Sequence, residues 1–323
     1  MRPLIAILLG VTVGVSSYAQ SAKNGLVDAT AALQAGEADK ALGLLSSLKQ
    51  PQATSAQAHN IRCRVYFALE QWEAAGRECE QAVNLDGQNS DYHMWLGRAL
   101  GERADRASFV SAYSLAKRAR AEFEQAVQLN PRNAEALADL GEFYKSAPGV
   151  VGGGVSKAEG VAAQLDKIDP ARAHELRGRI ATGNKDFDGA EREFKQAIAV
   201  SQHPAFQWTT LASFYRKRER WNDMDSALKS AMEAVERDRH SGVALYNGAS
   251  LLIKSNRDPA LAVKMLETYL TGPTKTEEAP AFVAHVWLAR LHAQRGDSAA
   301  AQREHAAALA LTKEYKPARD LKD

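Results

Sequence analysis

Apolar and small residues fall three and four positions apart along most of this chain, and the arrangement returns every thirty-odd residues. Leu137, Leu140, Gly141 and Tyr144 share one helix face, and Trp208, Leu211, Ala212 and Tyr215 repeat them. Ala119, Phe123 and Ala126, closed by Pro131, form a second pattern that Ala190, Phe194 and Ala197 repeat. Each repeat therefore predicts a helix A followed by a helix B. Val and Ile are sparse and never alternate over a long run, whereas Ala is abundant, which favours helix over strand. A two-helix unit cannot bury its apolar face alone, so neighbours must stack into an all-α solenoid.

About eight such hairpins can be laid out. The first, 22–52, turns at Gly36 and starts helix B at Ala41; the second, 55–87, carries Tyr66, Trp72, Ala75 and Ala82. The third, 90–131, is extended: Gly97 to Ala119 spans 22 residues where Gly178 to Ala190 in the fifth spans 12, and the insert reads as longer helices. The fourth carries a Gly-rich loop at 147–154, where Pro148 and the clustered glycines oppose helix. Trp208 and Trp221 mark the sixth, Gly248 and Ala262 the seventh, and Ala289, Gly296 and Ala301 the eighth. The polar segment 313–323 reads as a solubilising cap. Gly or Ala is expected where two backbones approach closely. Trp72 and Phe187 precede the helix B small residues Ala75 and Ala190 by three, and Trp221 holds the matching place in the sixth hairpin, a regularity that says core packing rather than a ligand cage.

These motifs resemble the tetratricopeptide-repeat (TPR) family over roughly 22–318. The resemblance implies a right-handed superhelix whose concave face, lined by the A helices, grips protein segments. Carried onto the matched repeats, its groove positions fall on Asn60 and Arg64, Met94 and Arg98, Ala138 and Glu142, Glu175 and Arg179, and Thr209 and Ser213. The Lys and Asn combination by which some members clamp C-terminal carboxylates is absent. Arg64, Arg98 and Arg179 suit acidic or backbone groups of a partner. They equally suit a solvated face of local ion pairs worth about 0.2–0.5 kcal/mol each.

The first residues read differently. Arg2, an apolar run from Leu4 to Val15 and small residues up to Ala19 predict a secretory signal peptide, 1–19, cleaved after Ala19. No Cys follows the run, and it falls below the roughly 20 residues that span a bilayer. The mature chain, 20–323, is then expected as a single solenoid, exported to the periplasm or secreted, without membrane insertion. This combination is similar to exported bacterial repeat proteins. A net charge of +2 with interleaved signs gives no stripe for nucleic acid.

Candidate chemistry is thin. Gly154 is followed by Val155-Ser156-Lys157, the wrong order for a phosphate loop. Cys63 and Cys79 are the only cysteines and stand at equal height in one hairpin, so they form a disulfide or fill core as thiols, with Ala75 expected nearest Cys63. His285, His292 and His305 lack metal-site spacing, and no Gly-x-Ser-x-Gly elbow occurs. The expectation is a monomeric, non-catalytic scaffold of the cell envelope that holds a protein or extended peptide on its concave face. No cofactor, metal or nucleic acid is expected. The alternative is an envelope enzyme, or its accessory subunit, acting on peptide or glycan.

Overall fold

A computed structural model describes residues 25–321, so the predicted leader lies outside the described residues. The first hairpin pairs α1 (25–34) with α2 (Ala38–Ser47), and the second α3 (Ala56–Ala68) with α4 (Trp72–Leu85). The extended third pairs α5 (Ser90–Arg106) with α6 (Phe109–Leu129), its insert lengthening both helices. Then follow α7 (Ala134–Ser146) with α8 (Val155–Leu165), α9 (Pro170–Gly183) with α10 (Phe187–Val200), and α11 (Ala205–Lys217) with α12 (Trp221–Arg237). The last two pairs are α13 (Val243–Lys254) with α14 (Pro259–Thr271) and α15 (Ala281–Gln294) with α16 (Ser298–Leu311), and a short α17 (Lys316–Arg319) ends the array. No strand occurs among the described residues. The fold is an all-α solenoid of stacked hairpins.

Local chemistry explains the boundaries. Ser55, Asn133, Asp169 and Asp297 accept a backbone N–H from the first turn of the helices they precede, as good N-caps do. The A and B helices of a hairpin then approach at the small-residue slots. A Cβ at Gly97 would come 2.6 Å from Phe123, and one at Gly178 2.7 Å from Phe194, so only glycine lets these rings in. Trp72, Phe187 and Trp221 are half-buried rather than core. Each ring is covered by an arginine from the following hairpin: Arg106 at 4.6 Å, Arg218 at 3.7 Å and Arg257 at 5.3 Å. Cys63 and Cys79 are joined as a disulfide, with Cα atoms 5.2 Å apart. The expectation that Ala75 rather than Cys79 faces Cys63 does not prevent the bond, because the two cysteines are equidistant from the turn.

A polar contact also recurs at the repeat period. His59–Glu78, His93–Glu122, His174–Glu193 and His285–Glu304 each join helix A to helix B, Nδ1 to Oε2, at 2.6–2.7 Å. Each His stands four residues before the helix A slot and each Glu three after the helix B slot. In the fourth hairpin the same places hold Leu137 and Val161, both buried. The bond to Glu122 holds the His93 imidazolium above its ordinary 6.5, against burial, which lowers it. A folded value above the unfolded one gives stability that is complete below about pH 6.5 and fades as pH rises through the folded value. Melting temperature should therefore decline from about pH 6.5 upward, and His93→Gln should flatten that slope. An unchanged slope in the variant would remove His93 from the account.

The array does not end openly. The first three helices share one hydrophobic core with α10 to α17, and a second core runs from α3 to α9, so packing continues around the whole chain. Asp39 at the start of α2 accepts the Thr312 hydroxyl and the Lys313 N–H, each at 3.0 Å. Tyr315, 4% exposed, packs its ring at a tilt against Phe282 and donates to Glu70 at 3.2 Å. The segment expected as a polar cap is therefore a fastener between the two ends, because its Tyr315 and Ala318 are apolar anchors inside a polar stretch.

Gly36 lies on this seam, where a Cβ would meet the Ala281 nitrogen at 2.6 Å. Its φ of +78° matches the +77° of Gly296, which has open space around it. Gly296→Ala should cost only the left-handed penalty, about 1–2 kcal/mol. Gly36→Ala adds overpacking of the seam and should cost about 2–4 kcal/mol in urea unfolding. Equal losses would mean that the seam contributes nothing.

Candidate functional site

The A helices from α3 to α13 touch one another in succession and form the inner wall. Its two parts differ. Over α3 and α5 the wall is covered by the chain itself, because the 272–280 loop between α14 and α15 crosses to it. Glu277 takes the Arg64 guanidinium in a two-pronged contact, with Nε to Oε2 at 2.8 Å, and both side chains are largely buried. Glu278 lies 3.7 Å from Arg98, which also binds Asp139 at 2.6 Å and Glu135 at 3.3 Å. Both guanidinium groups stand over Trp95, Arg64 at 5.5 Å and Arg98 at 4.7 Å from its centroid. Tyr269, fully buried, donates to the Ala279 carbonyl at 2.5 Å and anchors the loop from behind.

Over α7, α9, α11 and α13 the wall opens into a cavity of about 310 Å³. Phe194, Phe206, Phe214 and Leu251 supply its apolar surface, with Phe206 41% exposed. Around them stand Lys145, Arg179, Lys217 and Lys254, with Glu142 the one carboxylate. Lys145 holds Glu142 at 2.7 Å and Arg179 approaches it at 3.7 Å. Burial pushes the Glu142 carboxyl up, but Lys145, Arg179 and Ser146 together hold it below the usual carboxylate range. Among the described residues Lys217 and Lys254 make no ion pair, and the side chains of Ser213, Asn247 and Ser250 make no hydrogen bond.

The groove positions expected from the motifs thus divide. Asn60 and Met94 are buried in the wall, and Arg64 and Arg98 lie under the acidic loop. Glu142, Arg179, Thr209 and Ser213 line the open cavity. Thr209 spends its hydroxyl on the Phe206 carbonyl. Glu175 is buried between the two parts, and burial pushes its carboxyl up. Reading one turn around each slot missed Lys145, Lys217, Asn247, Ser250 and Lys254. Three of these are lysines in the last turn of their helices, beyond that reach.

The other motifs are structural. In the Gly-rich loop the N–H groups of Gly152, Gly153 and Gly154 already donate to the carbonyls of Gly149, Pro148 and Tyr144. They are not arrayed for a phosphate. His285 is held by Glu304, and His305 bonds the Ala318 carbonyl at 2.9 Å. No group of metal-ligating side chains forms among the described residues, and no helix there is long and apolar enough to cross a membrane.

By sequence the chain matches no protein-family model and no curated protein. Among solved structures it is similar to TTC0263, a thermophilic TPR protein of Thermus thermophilus. That likeness has 17% identity and a TM-score of 0.51, over 60% of this chain and 98% of the other. It is also similar to a MamA protein at 20% identity and TM-score 0.41, over 57% of this chain and 90% of the other. A MamA fragment from Desulfovibrio magneticus RS-1 matches at 15% identity and TM-score 0.37, over 57% and 96%. The likeness to the Thermus protein shows the fold, a TPR-type α-solenoid.

The acidic loop can be tested through its strongest contact. Glu277→Gln leaves a largely buried guanidinium without its carboxylate and should cost about 2–3 kcal/mol. Glu80→Gln, which breaks the exposed pair with Arg118, should cost less than about 1 kcal/mol. Similar urea midpoints for the two variants would show that the loop is not held by charge.

Proposed function

We propose that this chain is a non-catalytic scaffold of the cell envelope that holds an extended protein segment in the cavity between α7, α9, α11 and α13. The observation that carries this reading is the set of unpaired polar groups around exposed apolar surface on the inner wall. Ser213, Asn247 and Ser250, half-buried and without a hydrogen bond inside the chain, stand beside Phe206, a combination that suits the backbone and one apolar side chain of a narrow ligand. A folded domain would not enter so small a recess. Export rests on the sequence of the first nineteen residues. The monomeric reading has support in the seam, because the first and last hairpins cover each other's apolar faces.

Placing a photo-crosslinking amino acid at Ser213, with a second variant at the exposed Lys229 of α12 as reference, tests the site in intact cells. Adducts that map to one defined polypeptide segment from Ser213, and not from Lys229, are expected. Equal labelling from both positions, or none from Ser213, overturns groove binding. Recovery of the intact leader on a cytoplasmic chain overturns the envelope assignment.

A further inference from the structure

The cavity's charge specifies its occupant more narrowly, and this step rests on the groove-binding reading above. We propose that the open half of the inner wall selects an acidic stretch of polypeptide, through side-chain carboxylates set on Lys217 and Lys254. Lys145, Arg179, Lys217 and Lys254 line the recess against one carboxylate, Glu142, which is already engaged by the first two. Three positive charges are left over. The C-terminal ends of the four lining helices oppose them with about half a negative charge each, which still leaves the recess positive.

Spacing agrees with this assignment. Lys217 ends α11 and Lys254 ends α13, and packed helices lie about 8–10 Å apart. In an extended chain, residues two or three apart span about 7–10 Å, so carboxylates at that separation reach both lysines. Phe206 and Leu251 then lie against the backbone and the aliphatic stems of those side chains.

The same wall already shows how an acidic stretch is received. One part along, Glu277 and Glu278 of the chain's own loop sit on Arg64 and Arg98. That contact is made by side-chain carboxylates in mid-chain, so no chain terminus is required. The open half likewise brings cations and aromatic side chains to one recess, and Glu142 is the one carboxylate of this chain that lines it.

The test uses the full mature chain and a labelled short peptide alternating glutamate with leucine, acetylated and amidated so that it carries no terminal charge. Glutamine and lysine versions serve for comparison, and fluorescence anisotropy reads binding. The glutamate peptide should bind most tightly, weaken with added salt, and lose roughly tenfold in affinity to the double variant K217Q/K254Q. Both lysines are exposed, and matching melting temperatures would show that the variant folds. Equal binding of the glutamine peptide, or undiminished binding by K217Q/K254Q, overturns the acidic assignment. If no peptide binds while Ser213 still gives segment-specific adducts, the acidic assignment fails and groove binding stands. If neither is seen, both fail.

Discussion

Closure of the hairpin stack upon itself is the constraint from which the other features descend. Every hairpin presents apolar surface on two sides, and an open stack leaves two such surfaces in water at its ends. Here they cover each other. Leu26, Ala29 and Leu33 of α1 enter the same core as Phe282, Leu288 and Tyr315. Buried alanine and glycine keep neighbouring backbones near enough for the curve to complete its circuit. The fastener at Asp39, Thr312 and Lys313 is polar and directional, so it fixes where the ends meet, while the hydrophobic contacts supply the larger share of the stability.

Closure also decides what the inner wall can do. An open superhelix can flex to admit ligands of different widths. A closed one offers recesses of set size, and binding is then docking into a preformed place with little ordering cost on the receptor side. The 272–280 loop divides that place. It occupies the wall over α3 and α5 with two glutamates and leaves the cavity at α7 to α13 open, with its cations only partly compensated. Arg64 and Arg98 therefore serve cohesion, whereas Lys217 and Lys254 face solvent.

The hairpins were legible in the sequence because their determinants are local. Gly97 and Phe123, or Gly178 and Phe194, lie within one hairpin, so residue types at fixed spacing announce the contact. The long third hairpin and the Gly-rich loop were readable for the same reason. Closure was not, since Arg64 and Glu277 are 213 residues apart and Asp39 and Thr312 are 273 apart. No local pattern encodes the summed curvature that brings them together. Tyr315 was hidden inside a polar segment, where one aromatic among charged residues reads as surface. The His–Glu contacts are a different case. They keep strict register with the small-residue slots in four hairpins, so aligning the repeats by slot exposes them without coordinates.

The groove positions show how far transfer of a pattern reaches. Offsets of one and three around the slot named four residues that line the cavity, Glu142, Arg179, Thr209 and Ser213, and two, Arg64 and Arg98, that the chain's own loop takes up. The offsets carry no information about occupancy, because the loop belongs to a hairpin far along the chain. They reach Arg179 but stop about one helical turn short of the cavity's lysines. In α7, α11 and α13 those lysines sit in the last turn, where a positive charge already complements the negative end of the helix. A lysine there has a structural reason that needs no ligand, and sequence alone gives that reason precedence. What changes the balance is convergence: adjacent helices bring these ends around one recess, where the positive charges exceed what the helix ends and Glu142 offset. Propensity explains each lysine singly, and only the stacking explains their sum.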